Sequence, residues 1–410
     1  MTKYNITLNK EILHYLFSSN DKGMKMLLEQ IINQILEQQR TEQINAELYE
    51  RTDNRKAYRN GYKTRKLNTR VGNLILNIPQ IRNGIFSTEL FDRYQRSEQA
   101  LLLALMEMVI KGVSTRKIKD ITEELCGTEF SASTVSELCK RLDTVVQEWK
   151  ERNLKDKRYP FLIVDALVIK IRENHRVKPY SALIATGIND KGYREILGLE
   201  IGNSESEQSW SDFFRHLKQR GLKGADFVIS DNHPGLVKAA AISFQGSTWQ
   251  RCQAHFTRNI LSSCPKHLQS SLNGNLRLIF EAPDLKTAEE LLKKTIETFS
   301  KTAGKAIDIL EQGFYDATSI LILPEHYRKR LRTTNSIERL NEEIRRRERV
   351  IRIFPNRESA TRLIGALLIE QDELWSTGHK YFDMDEYWQW RCKYEPNKVE
   401  PIVKEEFNIA

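Results

Sequence analysis

The sequence predicts an α/β fold built on a mixed sheet, with a mostly helical region ahead of it. Three observations carry this. YPFLIVDALVIKIRE, PYSALIATGIND and YREILGLEIGN are apolar, strand-like runs separated by the turn residues Asn174-His175 and Asn189-Asp190-Lys191-Gly192. A helix, SEQSWSDFFRHLKQRG, then alternates with a short strand, DFVISD, and a second helix, LVKAAAISF. Helical patterns without strand alternation fill residues 101–150 before this stretch and Phe256–Arg332 after it.

Taken in order, the first element is an amphipathic helix. Met24, Leu27, Leu28, Ile31, Ile32, Ile35 and Leu36 recur at helical spacing, an apolar face for its own domain or a second subunit. From Arg51 to Arg82 nine basic residues face one acid, Asp53, interleaved with Tyr58, Tyr62 and turn signals at Asn60-Gly61 and Gly72-Asn73. LLLALMEMVIKG, GVSTRKIKDITEELCG and SASTVSELCKRLDTVVQEWKER read as helices, with Gly112 and Gly127 as stops and Ser114 and Ser133 as N-caps. Two helices around a glycine turn give a helix-turn-helix outline. Lys155–Pro160 reads as a linker. After the sheet and a helical stretch comes a strongly charged helix, TTNSIERLNEEIRRRERV, then a tail with Trp375, Tyr381, Phe382, Tyr387, Trp388 and Trp390. The expected divisions are 1–100 (amphipathic helix and basic region), 101–155 (helix-turn-helix-like), 156–256 (first part of the α/β core), 257–330 (all-helical), 331–375 (second part of the core) and 376–410 (tail).

Composition narrows the function. In 410 residues, 40% hydrophobic and 29% charged content fits a globular protein, and 19 Gly with 10 Pro excludes collagen-like and low-complexity classes. No apolar run approaches the ~20 residues of a membrane span. The opening MTKYNITLNKEILHYLF lacks the pattern of a secretory signal, and five scattered cysteines argue against a disulfide scaffold, so a cytoplasmic location is expected. The net charge of +9 points to a polyanionic partner, nucleic acid first. The Arg51–Arg82 stretch holds most of that excess, with basic groups to neutralise phosphates and aromatic faces to pack on sugars. A solvated basic loop is the plainer reading of the same stretch.

Asp165 interrupts the apolar run Phe161–Val164, and Asp231 ends Phe227–Ser230 ahead of a helix. A carboxylate inside such a strand is costly unless paired or metal-bound. Asp231 at a strand's carboxyl end has a usual position for a ligand group, or it starts a turn. On neighbouring strands the two would supply hard oxygen ligands suited to Mg²⁺ or Mn²⁺. A third ligand is available from Glu338, Glu342 or Glu343, and pattern alone does not choose. Asn335-Ser336-Ile337-Glu338 also resembles a capping box, and Glu342 and Glu343 have Arg346 and Arg347 four residues on. Cys252-x-x-His255 precedes Cys264-x-x-His267, which invites a zinc reading, although Pro265 and the tight loop oppose it. His255 beside the two aspartates could instead orient a phosphate or a flipped base. No Walker A loop is present.

As a set, FLIVDALVIKIRE, REILGLEIGNSESEQSW, LKQRGLKGADFVISDNHPGL, WQRCQAHFTRNI and TTNSIERLNEEIRRRERVIRIFPN resemble the Mutator-type insertion-sequence transposases of bacteria. YRNGYKTRKLNTRVGNLILNIPQIRNGIF and GVSTRKIKDITEELCG resemble them too, so the likeness runs from about Arg51 to Trp390. It implies a ribonuclease-H-like core with an all-helical insertion and a catalytic, metal-holding DDE triad. Carried over motif by motif, the triad is Asp165, Asp231 and Glu338, with Cys252, His255 and Asn335 as signature residues beside it. Two Mg²⁺ (or Mn²⁺) ions per site are implied. So are double-stranded DNA partners, both terminal inverted repeats and target, and a homodimer or larger assembly in the bacterial nucleoid. The expected DNA contacts are Arg55, Arg59, Lys63, Arg65, Lys66, Arg70, Arg82, Arg116, Arg251, Arg345, Arg346 and Arg347. Two departures from the family pattern are Gln80-Ile81 ahead of Arg82, and Pro234 where a lysine is common. The rival readings are a DNA-binding regulator with structural acids, and a nuclease that cuts without joining.

Overall fold

The computed structural model describes residues 6–8, 10, 21–82, 84–91, 96–127 and 129–394. The chain divides after Arg141 into two compact units.

In the first unit, helix α1 (Asp21–Ile44) lays its apolar face on a two-stranded antiparallel hairpin, β1 (Tyr58–Thr69) and β2 (Gly72–Arg82). Leu36 joins Leu67, Leu74, Leu76 and Phe91 in a small core. The basic stretch is therefore a β-ribbon set among the helices of this unit, a shape the sequence reading did not assign to it. Alternation in β2 shows why: Leu74 and Leu76 are buried while Ile75 between them is exposed, the period of a strand with one covered face. The Gly72-Asn73 signal does lie at the hairpin turn, where Thr69 pairs with Gly72. Asn60-Gly61 makes no turn. It sits inside β1 at an irregularity between Arg59 and Tyr62, where Gly61 takes φ +74° without steric cost.

Three helices follow: α2 (Gln99–Ile110), α3 (Thr115–Cys126) and α4 (Ala132–Cys139). Ser114 caps α3, its hydroxyl accepting from the Lys117 amide at 3.3 Å, and Gly127 ends it as expected. The cap of α4 is Ser131 rather than Ser133, accepting from the Thr134 amide at 3.1 Å. The helix expected to run on from there is broken at Lys140-Arg141. Its second half is α5 (Leu142–Glu151), which belongs to the second unit.

The second unit is organised by one five-stranded mixed sheet. Its strands are β3 (Phe161–Glu173), β4 (Arg176–Ile188), β5 (Arg194–Gly202), β6 (Phe227–Ser230) and β7 (Thr248–Arg251), in the order β5-β4-β3-β6-β7. β3, β4 and β5 are antiparallel neighbours, whereas β6 and β7 run parallel to β3. Successive side chains of a strand point to opposite faces. Leu162, Val164 and Val228 enter a core under α6 (Glu207–Gln219) and α7 (Pro234–Ser243). Phe161, Ile163, Phe227 and Ile229 enter a second core on the opposite face. That core is completed by α12 (Glu325–Leu331), by α13 (Asn335–Ile351) and by α15 (Asp385–Tyr394).

Helix α6 shows how sequence sets this packing. Trp210, Phe213, Phe214 and Leu217 stand at i, i+3, i+4 and i+7 and are all buried. Trp210→Ala should cost about 3–5 kcal/mol by emptying that face, read as a lower urea midpoint for the full chain. A midpoint within error of the wild type would show that the cavity is not there.

Between β7 and α12 lie α8 (Gln253–Ser262), α9 (Gln269–Phe280), α10 (Leu285–Phe299) and α11 (Gly304–Thr318). They build their own core from Phe256, Ile260, Leu276, Ile279, Leu310 and Phe314. α14 (Arg357–Thr377) runs beside α5 and β5, where Gly365 leaves room for Val146. No helix among the described residues is long and apolar enough to cross a membrane.

Candidate active site

Residue parity places both aspartates. Asp165 follows Ile163 by two along β3, and Asp231 follows Ile229 by two from β6, so both lie on the face that carries α13. β3 and β6 are hydrogen-bonded neighbours, which brings the two carboxyls together.

The Asp165 carboxyl is held from two sides. Oδ1 accepts from the Ala166 amide at 3.0 Å, and Oδ2 accepts from Asn341 Nδ2 on α13 at 2.8 Å. Burial, and then the charge of Asp231, push its pKa up to about 7. Asp231 Oδ1 accepts from the His233 amide at 3.3 Å. Beside it, Glu205 lies 3.6 Å from His233 Nδ1 and accepts from Trp210 Nε1 at 3.3 Å. Burial raises the Glu205 carboxyl too, with Asp231 adding to the effect.

Glu338 comes from the first turn of α13. Its Oε1 lies 3.1 Å from Arg258 and 3.6 Å from His255 Nε2, both on α8. The expected capping box does not form. Asn335 is the first helical residue rather than the cap, and Thr334 before it makes no side-chain capping bond. The Glu338 carboxylate goes to Arg258 instead of back to the helix start. Glu343 pairs with Arg346 at 3.1 Å and Arg347 at 2.7 Å, and Glu342 is exposed. Of the three candidate glutamates, Glu338 is the one beside His255. Among the described residues, no three of His, Cys, Asp and Glu are close enough together to hold a metal ion.

Cys252 and His255 link the strands to this helix. Cys252 is fully buried at the end of β7. Its Sγ accepts from the amide and the hydroxyl of Thr334, both at 3.4 Å. The Gln253 amide donates to the Arg332 carbonyl at 2.9 Å. These contacts pin the residues just before α13 to the end of β7. Burial pushes the Cys252 thiol up, but the His255 and Thr334 bonds outweigh it and leave the thiol low. His255 is raised, by Cys252 first and also by Asp165. Cys264 stands apart, in the helical bundle core.

The expected DNA contacts fall into two groups. Lys63, Lys66, Arg82 and Arg116 are exposed, as is Arg345. Arg70 is exposed while bonded to Glu98 at 2.7 Å, Arg55 lies over Tyr58, and Arg65 lies over Phe91. The others are turned to protein groups. Arg59 pairs with Glu37 and donates to Thr41 and the Ala46 carbonyl, satisfying a buried corner of the first unit. Arg251 is buried, its guanidinium 4.1 Å from the Phe256 ring centre. Arg347 is buried against Glu343, which also takes Arg346. Three site residues escaped sequence reasoning, Asn341, Arg258 and Glu205. Asn341 lies one helical turn after Glu338 on α13, so the i, i+3 spacing was a usable signal. Glu205 had none.

This arrangement is that of a sheet-borne acidic site closed by a helix. The chain belongs to the Mutator family of transposases, whose match covers residues 1–378. It is similar to the transposase for insertion sequence element IS256 in transposon Tn4001 of Staphylococcus aureus, 45% identical over 94% of this chain and 100% of that one. It is also similar to the transposase for insertion sequence element ISRM5 of Rhizobium meliloti, 43% identical over 90% of this chain and 92% of that one. A solved structure, the Drosophila P element transposase strand transfer complex, aligns with a TM-score of 0.30 at 10% identity, covering 80% of this chain and 92% of that one.

Proposed function

We propose that this transposase cuts and joins DNA at the ends of an insertion element, with Asp165, Asp231 and Glu338 as its catalytic carboxylates. The observation that carries the reading is the placement of Asp165 and Asp231 on adjacent strands, facing the helix that bears Glu338. The strand order β5-β4-β3-β6-β7, three antiparallel and two parallel, supports reading the sheet as a ribonuclease-H-like core. The α8–α11 bundle, with a core of its own, is then the helical insertion of that core.

The donor chemistry, hard carboxylate oxygens, suits a divalent cation, with Asp165 and Asp231 drawn together and Glu338 held by Arg258. Asp165 and Asp231 stand on adjacent strands, and burial first, then the charge of Asp231, push the Asp165 carboxyl up to about 7, a penalty that a bound cation would offset. Asp165, Asp231 and Glu338 would hold Mg²⁺ or Mn²⁺, two ions per site. Bound there, the ions would supply an activated hydroxyl nucleophile and neutralise the leaving oxygen. The chain's own groups position these carboxylates. Asn341 fixes the Asp165 rotamer, and the His233 amide fixes Asp231. Arg258 holds Glu338 aside until a DNA phosphate offers the guanidinium a second partner. The exposed basic ribbon β1–β2 binds the element's terminal inverted repeats by phosphate contacts. Pairing two ends calls for a homodimer or larger assembly.

Purified full-length protein incubated with labelled terminal-repeat DNA and Mg²⁺ or Mn²⁺ tests this. Cleaved and joined products are expected. Binding without product would make the protein a regulator, and cleavage without joining a nuclease.

A further inference from the structure

Three arginines gather where the C-terminal segment crosses the end of β5. The Arg194 guanidinium lies 4.0 Å from the Trp375 ring centre and 4.4 Å from that of Tyr381. Arg330 covers the same Tyr381 ring at 4.8 Å and donates to the Tyr381 carbonyl. Arg339 follows Glu338 directly on α13, near enough for its charge to act on both Arg194 and Tyr381. Burial first, and then Arg330 and Arg339, hold the Arg194 guanidinium below its usual range. Among the described residues none of the three forms an ion pair with a carboxylate.

Like charges held together without a counter-charge cost stability. Elsewhere this chain spends carboxylates on its arginines: Glu343 takes two, and Asp226 takes Arg391. Here the aromatic rings do a different job. A guanidinium stacked on a ring keeps its in-plane N–H donors directed outward, and the Arg330 bond to the Tyr381 carbonyl takes only one of its five, so the remaining donors are fixed in direction with little entropy left to lose. The Tyr381 ring is already covered by guanidinium groups, so it offers little platform to a base. Such a surface suits a phosphodiester backbone and is indifferent to sequence.

We infer that Arg194, Arg330 and Arg339 form a phosphate-binding site for the backbone of a DNA strand leading to the carboxylate centre. The inference rests on the reading of that centre as a DNA-cutting site, since Arg339 adjoins Glu338.

The test reads binding without divalent cation, so that no cutting occurs. The full chain is titrated against a labelled duplex carrying the element's terminal repeat and flank, and against a random duplex of equal length, across a range of salt. Arg330→Gln with Arg339→Gln should flatten the slope of log affinity against log salt by about 1–2, at ~0.9 per phosphate contact, for both duplexes. Arg330→Lys with Arg339→Lys loses the same stack and fork but keeps the charges, and should retain most of the slope. Equal loss in the Gln and Lys pairs would show that the arginines only brace the aromatic segment, and would overturn the site. So would an unchanged slope in the Gln pair, or a loss confined to the terminal repeat. Failure of the carboxylate reading would appear separately, as uncut DNA when Mg²⁺ is added to the wild type.

Discussion

Asp165→Asn ends strand cleavage and joining while making the metal-free protein more stable. Both effects come from one carboxyl. With the proposed role, loss of a metal-holding carboxylate should cut turnover by several orders of magnitude and leave DNA binding intact. The stability effect follows from linkage. Burial and Asp231 raise the Asp165 pKa to about 7, well above its unfolded value, so the folded state binds the proton more tightly than the unfolded state. Stability associated with this proton is fully present at low pH and is lost as pH rises from about 4 through about 7. At about 1.4 kcal/mol per unit the penalty above that window is at most roughly 4 kcal/mol. Asparagine carries no charge and keeps the Asn341 partner within reach. The difference in melting temperature between variant and wild type should therefore be small near pH 4, widen to pH 7 and then level off. Mg²⁺ or Mn²⁺ should stabilise the wild type and not the variant. A variant that melts below the wild type at pH 8 without metal would refute the account of the aspartate pair. A variant that still joins strands at the normal rate would refute its catalytic role.

Gly192→Ala is expected to undock the C-terminal segment. Gly192 has φ +88°, and a Cβ there would collide with the Phe382 carbonyl oxygen. The same glycine's carbonyl accepts from the Tyr381 amide at 2.7 Å and the Phe382 amide at 3.1 Å. Backbone meets backbone, so no side chain can move aside. Phe382 beyond it packs on Phe161 and Tyr327, in the core below the sheet. The strained φ and the lost packing together should cost about 3 kcal/mol or more. A reduced urea midpoint and new proteolytic cleavage between Thr377 and Asp385 would show it. Gly192→Ala with an unchanged midpoint and digestion pattern would mean that the segment is not anchored there.

Much of the second unit was legible from local signals. The strand runs ending near Asp165 and Asp231 are long or apolar enough to declare themselves, and the shared face follows from their parity. The first unit was harder. Its ribbon is rich in Lys, Arg and Asn, which mask a period-2 pattern carried by few buried residues such as Leu67, Leu74 and Leu76. Charge announced the segment but not its shape. Sequence also overstated the free arginines, because pairing across distant elements decides which are spent. Arg59 meets Glu37, 22 positions away, at a separation no local pattern encodes. The choice of Glu338 over its neighbours came from the family resemblance. The structure adds the contact with His255, which depends on α8 and α13 meeting in space.

That meeting has a consequence for synthesis. Asp165 and Asp231 both precede the helical bundle along the chain, but α13 follows it, and the bundle has a core of its own. The bundle returns the chain to its point of departure, where Gln253 bonds Arg332 and Cys252 receives Thr334. On the proposed reading, a ribosome stalled within the bundle releases a product with the basic ribbon and two of the three carboxylates. Such a fragment could occupy element ends without cutting them. On that same reading, late delivery of Glu338 would keep nascent chains chemically inert, and truncated copies of the gene would antagonise the intact one.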